Sequence, residues 1–142
     1  MKFLIVFAFL ILAGYNIRAE VTKEEALAIA TSCKEEVGAS DADFGAIVQH
    51  QPTESAEGKC MLACVLKKFG VMSNEGKLIK DTAIEISKSL VQDEEEKEHI
   101  VAVIDTCNEL DVSDDHCEAA EEYGHCWRTE LGDKGIAPED LV

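Results

Sequence analysis

The chain has 142 residues, with 29 Asp and Glu against 13 Lys and Arg and a formal net charge of −16. A surface that acidic repels nucleic acid and anionic lipid, so phosphate-binding functions are disfavoured. It also lacks the basic amphipathic helix that a membrane-lysing peptide requires.

Residues 1–19 read as a secretory signal peptide. Lys2 supplies a positive start, Phe3 to Ala13 form an apolar run of eleven, and Gly14 to Ala19 make a short exit ending in a small residue. Eleven residues at ~1.5 Å rise cover about half of a ~30 Å hydrocarbon core, so a retained anchor is not expected. No second run of this kind follows, and stable membrane insertion is excluded from the expectations. Removal of residues 1–19 takes Lys2 and Arg18 with it, moving the charge from −16 to −18 and leaving residues 20–142 as one exported domain.

The punctuation along that domain predicts six helices. Thr22 and Glu25 form a capping box that starts a helix ending at Gly38. Ser40 opens a second helix running to about Gln49, and Pro52 enforces a turn after it. The third spans about Ala56 to Lys68, closed by Gly70, and the fourth about Asp81 to Leu90. Asp93 caps the fifth, about Glu94 to Leu110, whose first-turn glutamates suit the helix dipole. Ser113 starts the sixth, about Asp114 to Leu131, stopped by Gly132. No stretch alternates with period two beside turn chemistry, so essentially no sheet is expected. Apolar residues recur at helical spacing: Leu27, Ala30 and Ile47 in the first two helices, Leu62, Leu66 and Phe69 on the third, Ile100, Val103 and Ile104 on the fifth.

Six cysteines follow the signal: Cys33, Cys60, Cys64, Cys107, Cys117 and Cys126. In an exported chain three disulfides are the default. A metal site is the rival, since Cys60 and Cys64 stand at i,i+4 and His116 and His125 each flank a cysteine. The spacing is not that of a zinc knuckle, however, and no metal or other cofactor is expected. Helix geometry removes some of the fifteen conceivable pairings. Cys117 and Cys126 lie ~13 Å apart along one helix, beyond the ~7 Å limit for bridging, and Cys60 and Cys64 point the same way on theirs. Ten pairings survive, all with the third helix bridged to two other parts of the chain.

Written as intervals, the cysteines read Cys33-x26-Cys60-x3-Cys64-x42-Cys107-x9-Cys117-x8-Cys126. This pattern resembles the six-cysteine signature of insect odorant-binding proteins, the general odorant- and pheromone-binding family, whose tightest intervals are the x3 and the x8. The stretch Cys60-Met-Leu-Ala-Cys64-Val-Leu-Lys-Lys-Phe-Gly70 resembles that family's third helix. The resemblance covers the whole mature chain. It implies the pairings Cys33–Cys64, Cys60–Cys117 and Cys107–Cys126, and an all-α, six-helix, disulfide-cross-linked bundle enclosing an apolar ligand cavity. It further implies a secreted carrier of small hydrophobic odorants or pheromones through the lymph around chemosensory neurons, a role in olfaction. The alternative is a non-olfactory carrier or scavenger in haemolymph, saliva or reproductive secretions. A chemosensory receptor and a second copy of the chain stand as candidate partners.

The expected pocket wall takes Leu62, Leu66 and Phe69 from the third helix, Ile84 from the fourth, Ile100, Val103 and Ile104 from the fifth, and Tyr123 and Trp127 from the sixth. Tyr123 offers a hydroxyl to a polar ligand head, because a buried phenol seeks a partner. Residues 132–142 contain Gly135 and Pro138 and end on the apolar Leu141 and Val142, a pattern that suits a lid over the pocket, with His125 the first histidine that could make its closure depend on pH. No catalysis is expected. All cysteines are committed, and His50, His99, His116 and His125 lack a Gly-x-Ser-x-Gly or His-Glu-x-x-His context. The acid pairs Asp114–Asp115 and Glu121–Glu122 read as solvated surface.

Overall fold

The computed structural model describes residues 21–137. Its six helices are α1 (Lys23–Val37), α2 (Asp41–Val48), α3 (Ala56–Lys68), α4 (Lys80–Ser89), α5 (Glu94–Asn108) and α6 (His116–Asp133). The signal segment, and Leu141 and Val142, lie outside the described residues. No described helix is long and apolar enough to cross a membrane.

Side-chain caps fix most of the starts. Thr22 and Glu25 make a reciprocal capping box on α1, and Ser40 and Asp43 make another on α2, each satisfying two amides that the helix leaves unpaired. Ser55 caps α3 by accepting from Gly58 N, and Asp93 caps α5 through Glu95 N and Glu96 N. Helix α6 starts later than expected. Its cap is Asp115, which accepts from Cys117 N and Glu118 N, while Ser113 Oγ accepts from Asp115 N and so holds the cap itself.

The ends obey a different rule. At the close of α6, Ile136 N donates to Leu131 O and Gly135 N to Gly132 O, both at 3.0 Å, a Schellman motif with Gly135 at φ 72°. Gly132 therefore lies inside the helix. The stop falls three residues later, at the glycine whose left-handed backbone the motif needs. Gly38 and Gly70 close α1 and α3 in the same way. Helix α2 ends in that geometry too, but with His50 in the left-handed position, at φ 55°.

Helix α3 is the hub. It packs against α6 on one side and against α1 and α2 on the other, and α5 then joins α6 to α4. The disulfides follow this order: Cys33–Cys64 joins α1 to α3, Cys60–Cys117 joins α3 to α6, and Cys107–Cys126 joins α5 to α6. These are the pairings that the family resemblance implied. Surface ion pairs flank two of them, Lys68–Glu36 beside the first and Lys59–Glu118 beside the second. Between α3 and α4 the chain makes a short hairpin excursion, with an isolated antiparallel bridge between Met72 and Leu78. That bridge is the only β pairing among the described residues.

Candidate ligand-binding interior

The apolar interior divides into three clusters. The first is built from Ala83, Val91, Ile100, Val103, Ile104, Cys107, Leu131 and Ile136, with Ile84 and Trp127 packed against it. The second comprises Ala63, Met72, Val112, Ala119, Ala120 and Tyr123, with Leu62 and Leu66 alongside. Leu78 packs against both, so these two clusters adjoin. The third lies between α1, α2 and α3 around Ala30, Cys33, Met61 and Val65.

Eight of the nine expected wall residues fall in the first two clusters: Leu62, Leu66, Ile84, Ile100, Val103, Ile104, Tyr123 and Trp127. Phe69 does not join them. It packs in the third cluster, because it continues the i, i+4 row Met61–Val65–Phe69 that faces α1 and α2, whereas Leu62 and Leu66 face α6. The apparent single stripe on α3 is two rows facing opposite neighbours. Leu27, expected in the core of α1, is 37 % exposed, and Ala30 and Cys33 carry that helix's burial instead.

Some contributors carried no helical signal. Leu78 and Met72 belong to the hairpin excursion, where a 3.6-residue period cannot register, and Val91 and Val112 sit in connections. Ile136 was legible only as part of an apolar tail. The Schellman turn places it on Leu131 inside the first cluster, where it is buried.

Polar groups at this interior are few, and each makes at least one hydrogen bond. Tyr123 is 6 % exposed, and its hydroxyl oxygen accepts from Leu78 N at 3.2 Å. Glu121 is not the solvated carboxylate its neighbourhood in the sequence suggested. It accepts from Thr53 N at 3.3 Å and from Thr53 Oγ1, and it pairs with Arg128. Thr53 is itself buried, so this network ties the α2–α3 connection to α6. At the top of α6, Lys67 Nζ lies 2.7 Å from His116 Nδ1. His125 is exposed on α6, and the end of the tail, residues 138–142, lies outside the described residues.

Six helices clamped by bridges in the order first-to-third, second-to-fifth and fourth-to-sixth cysteine define a disulfide-framed helical binding protein. The chain belongs to the PBP/GOBP family, which residues 18–130 match. It is 41 % identical over 137 residues to the general odorant-binding protein 28a of Drosophila melanogaster, covering 93 % of this chain and 96 % of that one. Among solved structures it is similar to Drosophila melanogaster odorant-binding protein dmelOBP28a, with a TM-score of 0.73 at 40 % identity over 78 % of this chain and 93 % of the other. It is also similar to a pheromone-binding protein of the cockroach Leucophaea maderae solved with the fluorescent reporter ANS, with a TM-score of 0.62 at 26 % identity, covering 74 % and 92 % of the two chains.

Proposed function

We propose that this protein is a secreted, non-catalytic carrier that takes up small hydrophobic odorants or pheromones between α3, α4, α5 and α6. The observation that carries the reading is the pair of adjoining aliphatic clusters, held by a frame whose sequence is 41 % identical to an odorant-binding protein over nearly its whole length. A frame held by three disulfides can keep unfilled apolar volume, which costs ~24 cal/mol per Å3 when nothing occupies it. Binding then draws on apolar burial at ~25 cal/mol per Å2, with few polar groups setting orientation.

In this reading the eight clustered residues form the wall, Phe69 supports it from the α1–α2 side, and residues 138–142 form a lid closed by Leu141 and Val142. Titration with ANS or N-phenyl-1-naphthylamine tests carriage. Saturable binding that also perturbs Trp127 fluorescence is expected, because that ring packs on the first cluster. Absence of saturable binding to any hydrophobe would end the carrier reading. Truncation after Ala137 tests the lid without removing Ile136 from the core: weaker binding, with an altered difference between pH 7 and pH 5, is expected. Incubation with fatty esters should yield no hydrolysis.

A further inference from the structure

We propose that Tyr123 meets the ligand as a hydrogen-bond donor, so that this interior selects apolar molecules carrying an acceptor oxygen, above all a carbonyl. The inference rests on the carrier reading and adds to it a ligand class. A phenol has one proton to give and, in the plane of its ring, one good direction in which to accept. Leu78 N–H occupies the accepting side at 3.2 Å. That leaves the proton to be donated, and no acceptor for it occurs among the described residues.

The place matters as much as the valence. Leu78 is the residue whose side chain packs against both adjoining clusters, so its amide brings the Tyr123 hydroxyl to their seam. The ring is 6 % exposed, and the other residues of the two clusters are aliphatic side chains, Met72, Trp127 and bridged cysteines. A donor left unpaired in such surroundings carries a desolvation penalty that a ligand oxygen removes. The oxygen should be neutral, because neither of the two clusters contains a charged side chain to serve as counter-charge for an anion.

The test compares 2-undecanone with undecane, a matched pair differing in the carbonyl, as competitors of N-phenyl-1-naphthylamine on the full mature chain. In Tyr123→Phe the affinity for 2-undecanone should fall roughly three- to tenfold while that for undecane stays within about twofold. This variant also strands Leu78 N–H, so the undecane arm reports any general loosening. On the wild-type protein, infrared spectra of carbonyl-labelled 2-undecanone should show a stretch lower than in alkane solvent. Equal change for both competitors together with a carbonyl stretch at its alkane-solvent position would overturn the inference and leave carriage standing. Failure of both competitors and the reporter to bind would overturn both.

Discussion

A Cβ on Gly58 would lie 2.7 Å from Asp43 Oδ1, because a single carboxylate serves the first turns of two helices. Asp43 Oδ2 accepts from Ser40 N and Ser40 Oγ at the start of α2. Its Oδ1 accepts from Ser55 Oγ, whose oxygen in turn accepts from Gly58 N at the start of α3.

Gly58→Ala should therefore destabilise, against the ordinary preference of a helix for alanine. The propensity gain is up to ~1 kcal/mol. The overlap with a carboxylate fixed on both oxygens should cost more, about 1–3 kcal/mol. Urea denaturation of Gly58→Ala, Asp43→Ala and the double variant checks this: the double should be more stable than the sum of the singles predicts, since removing the carboxylate removes the clash.

The same carboxyl gives the fold an acid limb. The Ser55 hydroxyl, followed by the Ser40 backbone amide, holds the Asp43 carboxyl below its usual value of 3.8. A group whose pKa is depressed by folding contributes stability that is complete above the unfolded value and is lost as pH falls through the folded one. Asp43→Asn should be less stable than wild type at pH 6 and should lose less on going from pH 4 to pH 2, measured by thermal denaturation.

His50 acts in a higher window. Burial pushes its imidazole below the usual 6.5, so the unfolded chain takes up a proton first as pH drops. Stability from this residue is complete above about pH 6.5 and declines below it until the folded value is reached. Asparagine tolerates the left-handed backbone at this position and does not titrate. His50→Asn should thus flatten the fall in Tm between pH 7 and pH 5, and proton NMR of wild type should place His50 below 6.5.

Among the bridges, Cys60–Cys117 closes the longest loop, a separation of 57 against 31 and 19. On chain-entropy grounds its removal costs most, about 4 kcal/mol. The double Cys→Ser variant at 60 and 117 should lower Tm by roughly 10–20 °C, more than either other pair, in scans of the oxidised proteins.

The tether between Thr53 and Glu121 should behave as one unit with Arg128. Glu121→Ala leaves Thr53 and Arg128 unpaired at positions mostly shielded from water, and should cost about 1–3 kcal/mol after allowing for partial exposure. Thr53→Val should cost less alone and little more in the Glu121→Ala background. An additive double-mutant cycle would refute the coupling.

Helix starts were legible in the sequence wherever a cap lies next to its helix, as at Thr22, Ser40 and Asp93. The cap of α6 was misread by two residues because Ser113, Asp114 and Asp115 are all acceptable caps, and only tertiary placement selects Asp115. Gly132 and Gly135 presented the same ambiguity, decided by which one lets Ile136 reach the first cluster. The wall was readable where residues follow the helical period and unreadable at Leu78, which enters the interior from a hairpin. The role of Glu121 depends on a residue 68 positions away, a distance no local pattern spans.

The bridges weld α1, α3, α6 and α5 into one covalent unit and leave α2 and α4 outside it. Helix α4 sits midway along the 42-residue span between Cys64 and Cys107, joined to the frame at both ends and held to it by non-covalent contacts, chiefly packing on α5 and the Lys80–Asp105 pair. Its side chains Ala83 and Ile84 pack in the cluster with Ile100 and Val103, but no disulfide would have to open for the helix to separate from them. Mechanically it is a hinged panel in a welded box, so its amides should exchange with solvent well before those of α3 or α6.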